Sequence, residues 1–190
     1  MIRPRRLWLV RHARVPDGQG RCYGHSDWLA DTAETVLAAE RLAGLMPEGL
    51  SVRVSPLRRC QQLAHELQVR RPDLTCSMDN RLMELYFGAW EGRDWSSIPR
   101  AEFDPWMADF AHGRPGVAGS ERGESVAELM ARVRSAWTQW LQDERDGAWV
   151  THAGVMRAAC LVSRGVCLPA SAADWPQDEL PYGQEIVLNS

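Results

Sequence analysis

Leu7-Trp8-Leu9-Val10-Arg11-His12 is the stretch on which the reading of this chain turns. An unbroken apolar run ends directly in a cation and an imidazole. Short apolar runs of this kind form strands buried on both faces of an α/β sheet. Ligands of such sheets bind beyond the carboxyl ends of the strands. Arg11 and His12 are therefore expected where chemistry is done.

Working outward, the loop after His12 is punctuated by Pro16, Gly18, Gly20 and Gly24. Asp31 and Glu34 have the spacing of a capping box. The helix they start should bury Ala38, Leu42 and Leu45 and stop near Pro47 and Gly49. Residues 50–54 alternate as a second strand and end at Ser55-Pro56, with a helix over 57–67 and Pro56 near its first turn. A third strand is expected over 74–78. Ser125 and Glu128 repeat the capping pattern ahead of Val126, Leu129, Val133, Trp137, Trp140 and Leu141 at helical spacing. Residues 148–151 read as a fourth strand running into His152-Ala153-Gly154, a helix follows over 155–164, and 185–188 form a last strand. Between them, 79–122 breaks the alternation and is rich in aromatics: Tyr86, Phe87, Trp90, Trp95, Phe103, Trp106 and Phe110. It is too aromatic for a disordered linker and reads as an insertion over one end of the sheet.

The chain has 190 residues, a length that suits one domain with an insertion, and 45% hydrophobic content supports a full core. A net charge of -3 gives no general attraction to nucleic acid or anionic membrane. All 22 cationic side chains are arginine, so any anion site must use guanidinium groups or imidazoles. Five cysteines without a C-x-x-C pair suggest a reduced, cytoplasmic setting. The basic start (Arg3, Arg5, Arg6) is followed by an apolar run too short for a signal-peptide core or a membrane span. Oligomeric state has no signature in the sequence.

Three strand ends thus carry candidate groups: Arg11-His12, Ser55 leading to Arg58-Arg59, and His152. Parallel strands would bring them to one edge, making a cationic site without metal-ligand spacing among His25, His65 and His112. Such a site suits a dianionic phosphoryl group, whose transfer needs mainly positioning and charge stabilisation. A neutral histidine can itself be the nucleophile, and a carboxylic acid must then protonate the leaving oxygen. Glu84 is the candidate, with Glu91 and Glu124 as rivals nearby in sequence.

Four ordered motifs resemble the histidine phosphatase (phosphoglycerate mutase-like) superfamily: Leu9-Val10-Arg11-His12, the 55–64 stretch beginning Ser55-Pro56-Leu57-Arg58-Arg59, the 82–92 stretch holding Glu84, and Thr151-His152-Ala153-Gly154-Val155. The resemblance implies a three-layer α/β/α sandwich around a mostly parallel central sheet, formed by a single domain over 1–190 with 79–122 as an inserted cap. It also implies that His12 becomes a phosphohistidine, that Arg11, Arg59 and His152 bind the phosphoryl group, and that Glu84 is the proton donor. Arg59, the second of the pair, falls at the family position. Tyr23 and Gly24 match the substrate-side loop, and Arg14 could add charge to it. Ala13 and Arg14 depart from the family, which usually has Gly after the nucleophile.

Cys22-Tyr23-Gly24, the 87–92 motif, Gly123-Glu124-Ser125 and Leu180-Pro181-Tyr182-Gly183 resemble the α-ribazole phosphatases of cobalamin synthesis. The resemblance implies a small phosphate ester as substrate, α-ribazole 5′-phosphate or the corresponding cobalamin phosphate, with no cofactor or metal. The alternatives are a phosphoglycerate mutase or broad sugar-phosphate phosphatase, and an inactive phosphate-binding protein.

Overall fold

A computed structural model of the protein describes residues 4–116 and 121–190, so Arg3 and positions 117–120 of the expected cap lie outside the described residues. The strands are β1 (Arg6–Arg11), β2 (Ser51–Val54), β3 (Thr75–Met78), β4 (Gly147–Thr151) and β5 (Glu185–Asn189). The helices are α1 (Thr32–Leu45), α2 (Arg58–Arg70), α3 (Arg100–Ala108), α4 (Val126–Gln142) and α5 (Ala153–Ser163). The strands form one sheet in the order β3-β2-β4-β1-β5, parallel except for the antiparallel edge strand β5.

The register explains the layers. Leu7 and Leu9 of β1 point to the face packed by α4 and α5, together with Trp149 of β4. Trp8 and Val10 point to the opposite face, with Ala148, Val150, Val52 and Val54, and meet α1 and α2. All four β1 side chains are buried, each contributing roughly 1.5–3 kcal/mol. The result is the expected α/β/α layering, and it sends the carboxyl ends of β1, β2 and β4 to one edge.

Capping follows the sequence in one case and half-follows it in another. Ser125 and Glu128 make both bonds of a capping box at α4. At α1, Asp31 accepts from the Glu34 amide (2.9 Å), while the Glu34 carboxylate pairs with Arg14 (2.7 Å). Leu45, expected in the core, is 52% exposed, because Thr35, Ala38, Ala39 and Leu42 form the buried stripe of α1. Helix α2 begins at Arg58 with Leu57 as its cap, and α5 begins at Ala153, directly after His152.

The 79–116 segment folds into short 3₁₀ turns and α3. Cys22, Trp90 and Ile98 make a separate small core with Phe87, Phe103 and Trp106 packed around it. Among the described residues no helix is long and apolar enough to cross a membrane, and the five cysteines are free thiols.

Candidate active site

His12 leaves the end of β1 with 2% exposure, and its Nδ1 lies 2.7 Å from the Ala13 carbonyl oxygen. A carbonyl can only accept, so Nδ1 carries the proton and Nε2 of the neutral ring holds the lone pair. Burial, the Arg59 guanidinium and the Arg11 guanidinium hold this imidazole well below its usual titration range. The residue is a neutral base at ordinary pH.

Arg59 lies in the first turn of α2 and is fully buried. Its Nη1 donates to Ser26 O (2.8 Å), its Nη2 to Gly24 O (2.6 Å) and its Nε to His152 Nδ1 (3.3 Å). None of these acceptors is anionic, so the charge is held in place without being neutralised. Arg58, by contrast, is exposed and uses its backbone amide to bond Asp27 (2.7 Å). Arg11 donates from Nη1 to Leu180 O (2.5 Å), and its guanidinium carbon sits over the Tyr182 ring, 3.6 Å from its centroid. Its Nε is buried without a protein partner among the described residues.

His152 ends β4 and is fully buried, its ring centroid 5.1 Å from that of His12. Because Arg59 donates to Nδ1, the proton sits on Nε2, which donates to Ser55 Oγ at 2.8 Å. Burial and the Arg59, Arg132 and Arg11 guanidiniums keep this ring well below the usual imidazole range. Both ring nitrogens are therefore occupied, and His152 backs Arg59.

The Glu84 carboxylate accepts from the Leu85 amide (3.0 Å) and from the Gly154 amide (3.1 Å) in the first turn of α5. A Cβ at Gly154 would come within 2.2 Å of Glu84 Oε1, so only glycine leaves the carboxylate its place. The rivals are committed elsewhere: Glu124 pairs with Arg132 (2.6 Å), and Glu91 accepts from the amides of Gly24, His25, Ser26 and Phe87.

Arg11, His12, Tyr23, Arg59 and Glu84 line one cleft of about 370 Å³, with Gly18, Arg21, Phe87, Trp95, Arg157 and Tyr182 among its walls. Tyr23 bonds the Tyr182 hydroxyl (3.0 Å) and lies 5.2 Å from the Arg59 guanidinium. Gly24 has another place in the structure: its amide is held by Glu91 and its carbonyl holds Arg59, and a Cβ there would strike Leu85 O at 1.7 Å. Arg14 turns away to Asp31 and Glu34 at the start of α1 and is absent from the cleft lining. A second chamber of about 220 Å³ adjoins the cleft through Glu84, Phe87, Trp95 and Arg157, and is otherwise mainly apolar, with Leu85, Trp106, Phe110, Val126, Leu129 and Trp175.

Sequence reasoning passed over Arg157, and it read Glu91 only as a rival acid and missed its hold on the 24–26 loop. The spacing Gly154–Arg157, one turn of helix on one face, was the available signal for the first. Glu91 has no such signal, because its partners are backbone amides. No group of histidine, cysteine and acidic side chains suited to a metal occurs among the described residues.

The chemistry this permits is capture of a compact anion by unpaired guanidiniums beside a neutral imidazole and a carboxylate. The sequence model of the histidine phosphatase superfamily (branch 1) matches residues 7–175. Glucosyl-3-phosphoglycerate phosphatase of Mycobacterium tuberculosis (strain H37Rv) is 31% identical over 188 residues, covering 92% of this chain and 80% of the relative. Among solved structures, Mycobacterial hydrolase 1 superposes with a TM-score of 0.80 at 26% identity, covering 98% of this chain and 92% of that one. A protein of Escherichia coli K-12 proposed to be an alpha-ribazole-5'-P phosphatase gives a TM-score of 0.79 at 25% identity, covering 97% and 90%.

Proposed function

This chain belongs to the histidine phosphatase superfamily, branch 1, and we propose that it is a phosphomonoesterase working through a phosphohistidine on His12. The observation that carries this is the His12 Nδ1–H bond to Ala13 O, which makes Nε2 the lone-pair atom of a ring lining the cationic cleft. In the first step the Nε2 lone pair attacks phosphorus and the bond to the ester oxygen breaks. Glu84, as the acid, delivers its proton to that oxygen. In the second step Glu84 takes a proton from water, the hydroxyl oxygen attacks phosphorus, and the N–P bond breaks to release phosphate and neutral His12. Arg11 and Arg59 stabilise the charge on the equatorial oxygens. His152 fixes Arg59 from behind. None of these steps uses a metal or cofactor, and the whole of 1–190 acts as one domain with 79–116 forming much of the substrate wall.

For the substrate we favour α-ribazole 5′-phosphate, whose flat base suits the aromatic chamber beside Glu84. A sugar-phosphoglycerate ester is the second reading, supported by the 31% identical mycobacterial relative. The test is hydrolysis of α-ribazole 5′-phosphate, glucosyl-3-phosphoglycerate, 3-phosphoglycerate and 4-nitrophenyl phosphate in EDTA, by wild type and by His12→Ala. EDTA-resistant turnover lost in His12→Ala is expected. Turnover surviving in His12→Ala would overturn the mechanism, and a higher kcat/KM on glucosyl-3-phosphoglycerate would overturn the substrate assignment. Binding of phosphate without turnover would mark an inactive relative.

A further inference from the structure

Arg157 stands at the passage between the two chambers, lining both the catalytic cleft and the aromatic chamber beside Glu84. It lies on α5 one turn beyond Gly154, whose amide holds the Glu84 carboxylate. Its Nε donates to Pro176 O (2.8 Å) and its Nη2 makes a longer contact to Asp178 O (3.4 Å). Its Nη1 has no protein partner, and the guanidinium makes no ion pair, among the described residues. Most other arginines with partly covered side chains spend their charge locally: Arg53 on Asp143, Arg81 on Asp79, Arg132 on Glu124. Arg157 is half-buried and lines the cleft together with Glu84, the one carboxylate there among the described residues. Burial lowers its affinity for its proton, and the Glu84 charge only partly offsets that. A half-desolvated donor with a free N–H is useful where an acceptor arrives with the substrate.

Any ester whose phosphoryl group sits among Arg11, His12 and Arg59 must send its alcohol past Glu84, since Glu84 has to reach the leaving oxygen. Arg157 is the first cation that this alcohol meets on the way to the apolar walls. We infer that Arg157 is a specificity-determining residue that holds an oxygen acceptor on the leaving alcohol, a sugar hydroxyl or a carboxylate, while the apolar part of that alcohol fills the aromatic chamber. This rests on the phosphomonoesterase reading above and adds to it a requirement on the leaving group: oxygenated near the ester, apolar beyond. A simple alkyl ester would fill the passage without engaging Nη1.

The experiment compares kcat/KM for ribose 5-phosphate (hydroxyls), 3-phosphoglycerate (carboxylate) and n-propyl phosphate (no acceptor), in wild type and Arg157→Gln, by phosphate release. Wild type should prefer at least one oxygenated ester over n-propyl phosphate. In Arg157→Gln that ratio should fall about tenfold or more, the loss expected for one charge-assisted hydrogen bond, with KM carrying most of it. n-Propyl phosphate, which offers Nη1 no acceptor, should lose clearly less than the oxygenated ester, a readout that separates this role from a general disturbance of the 176–178 segment. Which oxygenated ester loses most identifies the acceptor as hydroxyl or carboxylate. An unchanged ratio, or an equal loss on all three esters, overturns the assignment of Arg157 and leaves the phosphatase reading standing. Failure of wild type to hydrolyse any monoester overturns both.

Discussion

Replacing Glu91 by glutamine should damage both stability and turnover, although Glu91 is outside the group that touches phosphate. Its carboxylate collects the amides of Gly24, His25, Ser26 and Phe87 at 2.8–3.0 Å, together with the Ser26 hydroxyl. Those bonds shape the loop whose Gly24 and Ser26 carbonyls hold Arg59. A glutamine side chain offers one acceptor oxygen in place of two. With that oxygen at the Oε1 position the Ser26 amide is orphaned; at the Oε2 position the His25 and Phe87 amides are. One orphaned buried donor costs roughly 1–3 kcal/mol, and each bond kept loses about 1 kcal/mol by losing its charged acceptor. With the oxygen at the Oε1 position, one orphaned amide and three weakened bonds together cost about 4–6 kcal/mol, which lowers Tm by about 8–24 °C in a chain of this size. Loosening Arg59 at a cost of about 2 kcal/mol in the transition state lowers kcat/KM about 30-fold. Calorimetry and steady-state hydrolysis of 4-nitrophenyl phosphate read the two effects. The pH dependence supplies a further check. Burial raises the Glu91 pKa, but the Ser26 hydroxyl and the surrounding amides outweigh it and leave the value below the ordinary one. The stability it contributes is therefore complete above the usual glutamate pKa of about 4.3 and is lost as pH falls through the lower folded value. Glu91→Gln should lack that acid-dependent component. A variant with unchanged Tm and kcat/KM within twofold of wild type would refute the reasoning.

Gly154→Ala should leave Tm nearly unchanged, because the side-chain end of Glu84 can swing away from the new Cβ, yet lower kcat/KM, which reports phosphorylation of His12, sharply on alkyl esters, which need the acid. Equal losses on alkyl and 4-nitrophenyl esters would contradict that division. Tyr182→Leu removes the ring under Arg11 and should weaken kcat/KM about 2- to 30-fold, matching a cation–π contact of roughly 0.5–2 kcal/mol. Tyr182→Phe, which keeps the ring, should recover most of the loss. Because His12 and His152 titrate below the unfolded value of about 6.5, stability should be full above that pH and decline as pH falls from it toward the folded values. Denaturant unfolding at stepped pH should show a shallower decline in His12→Gln, and an identical slope would count against a buried neutral His12.

The parts of this molecule that could be read from sequence are those fixed by local pattern. The run 7–10 points alternately to two cores, and its apolarity on both faces announced a central parallel strand before any partner was known. Ser125 and Glu128 announced the start of α4 because both bonds of a capping box lie within one turn. Leu45 misled because an apolar residue at helical spacing can still sit outside the buried stripe, here formed by Thr35, Ala38, Ala39 and Leu42. Gly24 and Arg14 were misplaced for a related reason: a motif says that a loop matters and leaves open which groups face inward. Gly24 serves Arg59 through its carbonyl, and Arg14 is drawn off by two carboxylates of α1. Glu91 was legible only as a rival acid, because its actual work is done on backbone amides from two separate loops. The aromatic segment was legible as a packed element, and its division into a small core around Trp90 and a wall of the second chamber was set by tertiary contacts.

The most direct measurement is of the covalent intermediate. Glu84→Ala, mixed with excess 4-nitrophenyl phosphate, should release about one equivalent of nitrophenol per enzyme and then slow, because this leaving group needs no acid while the dephosphorylating water still needs a base. Quenching in alkali, peptide digestion and fragmentation by mass spectrometry should place a single phosphoryl group on the imidazole of His12. The expected result is that modification at His12 alone, acid-labile and absent from His12→Ala. Steady turnover with no phosphorylated peptide, or a phosphoryl group on another residue, would contradict the mechanism.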